Sequence, residues 1–209
     1  MFKLSVTLFL IVISFDVYCQ GSKFDEWNDV KYQNAKPSGS DYMTALENDV
    51  IYYTNLARMN PKLFGETYLK KYLDSTKKYD SYSNTLIAEL KAMKPLPPFK
   101  TDKILYDEAM KHAKDMGKSG KVGHNSSSGT SYLDRVKLLR KTYFGIAENC
   151  NYGYSTALDI TLGLMIDEGV PDHGHRKNMF HEKLNLLGVS FQPHKTYGNN
   201  CVMEFGTKE

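Results

Sequence analysis

The chain has 209 residues, of which 41% are hydrophobic and 24% charged, a balance typical of a folded domain with a sizeable core. Its formal net charge is only +3, and the lysines and arginines are interspersed with acidic residues. This composition gives little support to a nucleic-acid partner, and no segment after the N-terminal one is long and apolar enough to span a membrane.

The N-terminal segment MFKLSVTLFLIVISFDVYCQGS has the layout of a secretory signal peptide. A positive charge at Lys3 precedes an apolar run that is too short to cross a bilayer, and small residues follow it. We therefore predict that residues 1–19 are removed and that the mature chain is secreted. Lipid anchoring through Cys19 is the alternative, although the bulky Tyr18 is unusual before a lipidated cysteine.

Two cysteines, Cys150 and Cys201, remain after this cleavage. Exported proteins fold in an oxidising environment, so an even pair of cysteines predicts a disulfide bond between them. The alternative is a pair of buried, reduced thiols.

The first half of the mature chain is predicted to be mostly helical. Residues 20–40 are polar, contain Gly, Pro and Ser, and indicate an extended or loose N-terminal arm before a domain over residues 41–209. Apolar residues at helical spacing then predict several helices. These cover about residues 42–59, a segment beginning at Pro61, residues 86–93 and residues 102–118.

The second half mixes helices with strands. We predict a helix over residues 132–140, a strand in FGIAENCNYG, and a helix over residues 157–168 that ends before Gly169. Alternating apolar residues near the C-terminus predict a β-hairpin. Helices early in the chain and strands at its end indicate a single α+β domain.

Four residues with reactive side chains lie on loops or at the ends of elements, where functional groups are usually found: His124, Glu148, Glu168 and His175. Asn125 also begins an N-glycosylation sequon, which matters only in a eukaryotic host.

Glu168 is the most informative of the four on physical grounds. It shares a face of the predicted helix with Thr161 and Leu164, and it lies in the last turn, where the helix dipole disfavours an anion. A partly buried acid there needs a cation, a metal or hydrogen-bond donors, unless the helix end is simply solvated. His112 falls on an apolar helix face and is predicted to be a core histidine, buried away from the site.

Several segments together resemble the CAP superfamily of SCP-like, cysteine-rich secretory proteins in its microbial form. In chain order they are VIYYTNLARMNP, LPPFKTDKILYDEAMKHAKDMGKSGKVGHNSSSG, GIAENCNYG, MIDEGVPDHGHRKNMF, LNLLGVSF and CVMEFG. They extend over about residues 45–206. The resemblance implies an α-β-α sandwich.

The resemblance also implies that His124, Glu148, Glu168 and His175 meet in one central cleft. Two neutral imidazoles suit zinc or a similar divalent metal, so His124 and His175 are the predicted metal ligands. The carboxylates would bind the metal or orient the imidazoles. No organic cofactor is expected.

Three details of the match affect this assignment. His175 fits the Gly-His step of the family better than His173 does. Asp167 precedes Glu168 and could take the acidic role, although the phase of the predicted helix favours Glu168. Met165 stands where many members have tryptophan.

Three functions are compatible with these residues. The first is a secreted CAP-domain binding or effector module, with a metal in its cleft and a lipid, glycan, peptide or protein as partner. The second is a metal-dependent hydrolase, such as a peptidase, that uses Glu148 and Glu168 as catalytic acids; no Ser or Cys nucleophile is evident. The third is a structural or adhesive domain whose cleft has no activity.

Overall fold

The computed structural model describes residues 22–208, so the predicted signal peptide over residues 1–19 and its Cys19 lie outside the described residues, as does residue 209. Among the helices of the described part, none is long and apolar enough to cross a membrane.

The described chain contains eight α-helices and four β-strands. The helices are α1 Ala45–Met59, α2 Pro61–Phe64, α3 Lys70–Thr76, α4 Ser81–Ala92, α5 Lys103–Ser119, α6 Tyr132–Arg135, α7 Ala157–Ile166 and α8 Gly174–Met179. The strands are β1 Lys100–Thr101, β2 Gly145–Tyr152, β3 Leu186–His194 and β4 Gly198–Thr207. Short 3-10 helices cover Lys23–Asn28, Val30–Ala35 and Leu139–Lys141, and a π-helical turn at Gly65–Leu69 joins α2 to α3.

The strands form one sheet in the order β1-β3-β4-β2. The short β1 runs parallel to β3, whereas β3, β4 and β2 pair antiparallel. The predicted C-terminal hairpin is therefore present as β3 and β4. Strand β2, which carries Glu148, lies at an outer edge of the sheet.

Helices cover both faces of this sheet, as the alternation of side chains along the strands requires. On one face, Cys201, Met203 and Phe205 of β4 join the large core formed with α1 and α7. On the other face, Val202 of β4 and Cys150 of β2 pack against alanines of α5. The predicted α+β sandwich is confirmed.

Helix α5 lies unusually close to the sheet. A Cβ added at Gly188 of β3 would collide with the backbone of Leu105 and Tyr106, and one added at Gly117 of α5 would collide with the carbonyl of Pro193. These two glycines let backbone pack against backbone near both ends of α5, which holds the helix and the loop after it against the sheet.

Arg58 links distant segments of the larger core. Its buried guanidinium donates to four backbone carbonyls, those of Pro97, Met179, His181 and Leu184, at 2.8–3.3 Å. Burial lowers the pKa of Arg58 to about 10, so the group is still charged at neutral pH. Arg58 thereby joins α1 to the chain that follows α8.

The expectation of a loose N-terminal arm is wrong for its described part. Residues 23–35 form the two 3-10 helices, and Trp27, Tyr32 and Ala35 are buried against the domain. The indole N–H of Trp27 donates to the Thr67 hydroxyl at 3.1 Å. Two aromatic rings within a polar segment supply the apolar area that fixes it in place.

The predicted disulfide between Cys150 and Cys201 is also wrong, because both cysteines are free and buried. Cys150 pairs with Val202 across the β2–β4 ladder, and Cys201 pairs with Asn151. A shift of one residue places the two side chains on opposite faces of the sheet. The alternative of two buried, reduced thiols describes the structure.

We expect both thiols to react with iodoacetamide once the protein is unfolded without a reductant. Peptide mapping should then find one adduct on the Cys150 peptide and one on the Cys201 peptide, in the same yield as in a sample reduced beforehand. Recovery of the two peptides joined by a sulfur–sulfur bond would contradict the arrangement of the strands.

Candidate functional site

The loop after α5 holds His124 in place through its backbone. Gly120 and Gly123 have positive φ angles of 73° and 102°, which turn the chain back toward β2. The carbonyl of Gly123 accepts from His112 Nε2 at 2.8 Å, and its N–H donates to the hydroxyl of Tyr152 at 2.9 Å. These contacts fix the backbone immediately before His124.

Glu148 anchors the His124 imidazole from β2. Its Oε1 lies 2.8 Å from His124 Nδ1, and its two oxygens accept from Arg135 at 3.2 and 2.9 Å. Burial alone would raise the pKa of this carboxyl, but hydrogen bonds from His124 and Arg135 lower it below its usual value. Arg135 Nη1 also donates to the His124 carbonyl, at 2.6 Å, so one guanidinium fixes both partners.

Asp167 anchors His175 in the same way. Its Oδ1 lies 2.6 Å from His175 Nδ1, while its Oδ2 accepts from the backbone N–H groups of His175 and Arg176 at 2.9 and 3.2 Å. Since Asp167 faces the first turn of α8, it fixes both the ring and the backbone of His175.

The assignment of Glu168 to the cleft is therefore wrong. Helix α7 ends at Ile166, and Asp167 takes a left-handed conformation with φ 61° that turns its side chain inward. The Glu168 side chain is 63% exposed, and its nearest cation, Lys78 Nζ, is 4.0 Å away. Helical phase failed as a guide because the helix stops before either acid.

His124 and His175 face each other across the edge of β2, with ring centroids 6.5 Å apart. They come from opposite faces of the sheet: Glu148 lies on the side of α5, whereas the neighbouring Asn149 donates to the His175 carbonyl at 3.0 Å. Both Nδ1 atoms are engaged by carboxylates, so both Nε2 atoms remain to bind a ligand. The side chains are 45% and 22% exposed, which keeps this pair open to solvent.

This arrangement fits a divalent metal. A metal-binding histidine usually has its second ring nitrogen on a carboxylate or carbonyl, which fixes the ring and increases the basicity of the free nitrogen. Glu148 and Asp167 supply that support to His124 and His175. The fold thus contains two imidazoles whose Nδ1 atoms lie on carboxylates, the arrangement common among histidines that bind zinc.

A second group lies deeper, behind the histidine pair. Ligand atoms of His112, Glu148 and Cys150 lie within 4.8 Å of one another, close enough to hold a metal ion. However, His112 Nε2 is occupied by the Gly123 carbonyl, and burial raises the pKa of the Cys150 thiol well above its usual value. We therefore regard the solvent-facing pair as the better candidate.

The expected separation between His112 and the cleft is not found. His112 is buried, as predicted, but its Nε2 lies 3.8 Å from Glu148 Oε1 and contributes to the surroundings of that carboxylate. The other histidines lie elsewhere. His173 packs against Tyr82 at 5.6 Å between ring centroids, and His194 packs against Tyr152 at 5.3 Å.

A second buried acid, Glu204, lies directly across the ladder from Glu148. It is fully buried, and its Oε1 accepts from the hydroxyl of Tyr132 at 3.0 Å. Burial, followed by repulsion from Glu148, raises the pKa of Glu204 well above its usual value. The pKa values of the two facing carboxyls are therefore shifted in opposite directions, that of Glu148 downward and that of Glu204 upward.

Sequence reasoning missed two of the groups that build this site, Arg135 and Glu204. Arg135 lies in an ordinary helical stretch with no distinguishing pattern. Glu204 alternates with apolar residues along a predicted strand, which could have suggested a buried acid. Asp167 was considered but ranked below Glu168.

Comparison with known protein families identifies one that matches this chain. The sequence model of the cysteine-rich secretory protein family, CAP, matches residues 51–205, which is more than half of the chain. The chain belongs to the CAP family. The match includes all four residues of the histidine–carboxylate cleft, which we define as His124, Glu148, Asp167 and His175.

Solved structures with related folds include three proteins of low identity to this CAP chain. An extracellular SCP-domain protein from Bacillus anthracis is 24% identical, with a TM-score of 0.44, and the match covers 61% of this chain but only 39% of that protein. An outer surface protein of Borrelia burgdorferi is 12% identical over 73% of this chain and 96% of its own, with a TM-score of 0.46. The CAP domain of enterococcal PrgA is 14% identical over 90% and 71%, with a TM-score of 0.37. No curated protein sequence matches this chain significantly.

We predict opposite effects on stability for two isosteric changes in the facing acids. Glu204→Gln should stabilise the fold at pH 7. The pKa of Glu204 is higher in the folded protein than the unfolded value of about 4.3. The contribution of this group to the free energy of unfolding of the wild type therefore decreases as the pH rises above that value. Glutamine does not ionise, so the variant lacks this decrease. Glu148→Gln should destabilise by about 3 kcal/mol, since it leaves Arg135 without its main buried partner.

Urea denaturation between pH 4 and pH 8 measures both effects. The wild-type and Glu204→Gln curves should diverge as pH rises. Parallel curves would show that Glu204 ionises normally in the folded protein and would contradict its raised pKa.

Proposed function

We propose that this chain is a secreted CAP-domain binding module whose cleft holds a divalent metal, zinc, on the Nε2 atoms of His124 and His175. The observation that carries the proposal is the matched support of the two rings. Each Nδ1 lies within 2.8 Å of a carboxylate oxygen, and the rings are 6.5 Å apart. If the two histidines served only to fill a polar core, both imidazoles would not need to be held by Nδ1 with Nε2 left to bind a ligand.

Within this proposal the four cleft residues divide into two pairs. His124 and His175 bind the metal, and Glu148 and Asp167 orient them and balance positive charge. A zinc ion with two protein ligands keeps open positions, which an oxygen or nitrogen donor of the bound partner can fill. The open surface of the two rings suits that role.

The contacts favour binding over hydrolysis. Glu148 is fixed by Arg135 and His124, and Asp167 is fixed by His175 and two backbone N–H groups. Neither acid is placed as a mobile base, and Glu168, the other acid considered for catalysis, is exposed beside Lys78. A hydrolase would need an acid that is free to exchange a proton with a bound water.

Export is part of the same proposal and rests on the charged, apolar and small-residue order of residues 1–19. We expect N-terminal sequencing of protein recovered from the medium of an expressing culture to begin near Gln20. Recovery of a chain that retains Met1, or of a lipid-modified Cys19 in the membrane fraction, would contradict soluble secretion.

Calorimetric titration of the purified protein with zinc chloride tests the metal site. We expect micromolar or tighter binding that is lost in the His124→Ala/His175→Ala double variant. Asp167→Asn should weaken binding about 10–100-fold, because it removes the carboxylate that orients His175. The adjacent Glu168→Gln is the matched control and should bind as the wild type does.

Equal effects of Asp167→Asn and Glu168→Gln, or no binding by the wild type, would refute the metal site. Zinc-dependent cleavage of casein by the wild type, absent in the double histidine variant, would instead favour the hydrolase.

A further inference from the structure

The outer edge of β2 presents unpaired backbone groups beside the cleft. Gly153 N–H donates to the Asn199 carbonyl at 2.9 Å. With the register of the two strands, this bond means that the odd-numbered residues of β2 direct their backbone N–H and C=O groups toward β4. In an antiparallel ladder the intervening residues then turn their N–H and C=O groups outward. For Glu148 the outward carbonyl has a long contact of 3.5 Å from Asn178 Nδ2. For Ile146, within residues 22–208, neither outward group has a partner.

Two depressions flank this edge, one on each side. One of about 420 Å³ is bordered by Asn178, Leu184 and Thr207, and the other, of about 500 Å³, is bordered by Tyr132 and Val136. Phe144, Gly145 and Ile146 line both depressions. Phe144 is 78% exposed, and Leu133, which also lines the second depression, is 61% exposed, so this edge carries apolar surface that a bound ligand would cover.

Positively charged side chains line the two depressions. Lys183 lines the first depression and Arg140 the second, and among residues 22–208 no aspartate or glutamate lines either one. Neither cation belongs to an ion pair within the described part of the chain. The surface is therefore complementary to acidic side chains.

We propose that an extended acidic peptide binds to β2 as an additional strand, pairing with Ile146 and running toward the histidine–carboxylate cleft. The outward N–H and C=O of Ile146 would pair with its backbone. Successive side chains of a strand point to opposite sides, so they would enter the two depressions alternately. The inference rests on the proposed binding function and names its ligand class, because Glu148 lies two residues beyond Ile146.

Other occupants match the surface less well. A lipid or a glycan has no repeating backbone donors and acceptors to pair with an exposed strand. A second copy of this chain, paired through its own β2, would bring Lys183 and Arg140 of each copy near those of the other, where like charges repel.

Fluorescence anisotropy with a labelled heptapeptide, Glu-Asp-Val-Val-Glu-Asp-Val, which places acidic side chains on both sides of an extended strand, tests the inference on the wild-type protein. Two control peptides separate the contributions. Replacing the acids by lysine should abolish binding. Methylating every interior amide nitrogen leaves the side chains unchanged but removes the backbone donors and should also abolish binding.

Two kinds of protein variant complete the test. Ile146→Pro removes an outward N–H without removing a bond to β4, and it should weaken binding about fivefold or more. Arg140→Glu/Lys183→Glu should also weaken binding. The Lys62→Glu/Lys91→Glu variant makes the same change in net charge near α2 and α4 and should bind normally.

Equal binding of the methylated peptide, unchanged binding by Ile146→Pro, or no binding up to about 1 mM would overturn the proposal. Should Ile146→Pro fail to fold by circular dichroism, the methylated peptide decides the question with the wild type. Sedimentation that shows dimers lost in Ile146→Pro, without peptide binding, would assign the edge to a second copy and also overturn it. Zinc titration of the same proteins separates this failure from a failure of the metal site.

Discussion

The buried ion pair between Glu148 and Arg135 is the interaction on which the site depends. A carboxylate with 1% of its side chain exposed needs compensation, and Arg135 supplies it while also binding the carbonyl of His124. Because Glu148 is kept ionised, it can orient the His124 ring, and its charge adds to the effect of burial in raising the pKa of the facing Glu204. The placement of His124, the charge state of the facing acids and the openness of Nε2 all follow from this pair.

Asp167 performs the corresponding task for His175 with different local structure. It uses a left-handed residue after a helix, where Glu148 uses an interior position of a strand. The two histidine–carboxylate pairs come together because β2 is an edge strand of the sheet. Loops from both faces of the sheet reach this edge. The cleft therefore depends on the order of the strands in the sheet, and its four residues come from separate segments of the chain.

Much of this architecture could be predicted from the sequence. Apolar spacing located α1, α5 and the hairpin, and the family resemblance brought His124, Glu148 and His175 to attention. The errors arose where a single residue overrides a periodic pattern: Asp167 ends α7, and a register shift of one residue separates Cys150 from Cys201. Arg135 was missed because an ion pair across 13 residues leaves no periodic signal.

The buried Arg58 guanidinium has a consequence for how the chain acquires its structure. Three of its carbonyl acceptors come 121, 123 and 126 residues later in the sequence. During synthesis the guanidinium of α1 therefore has no complete set of partners until most of the chain has emerged, and a buried charge without partners opposes early closure of the core. Nascent and truncated chains should remain open, the condition in which a polypeptide can be threaded through a translocation channel.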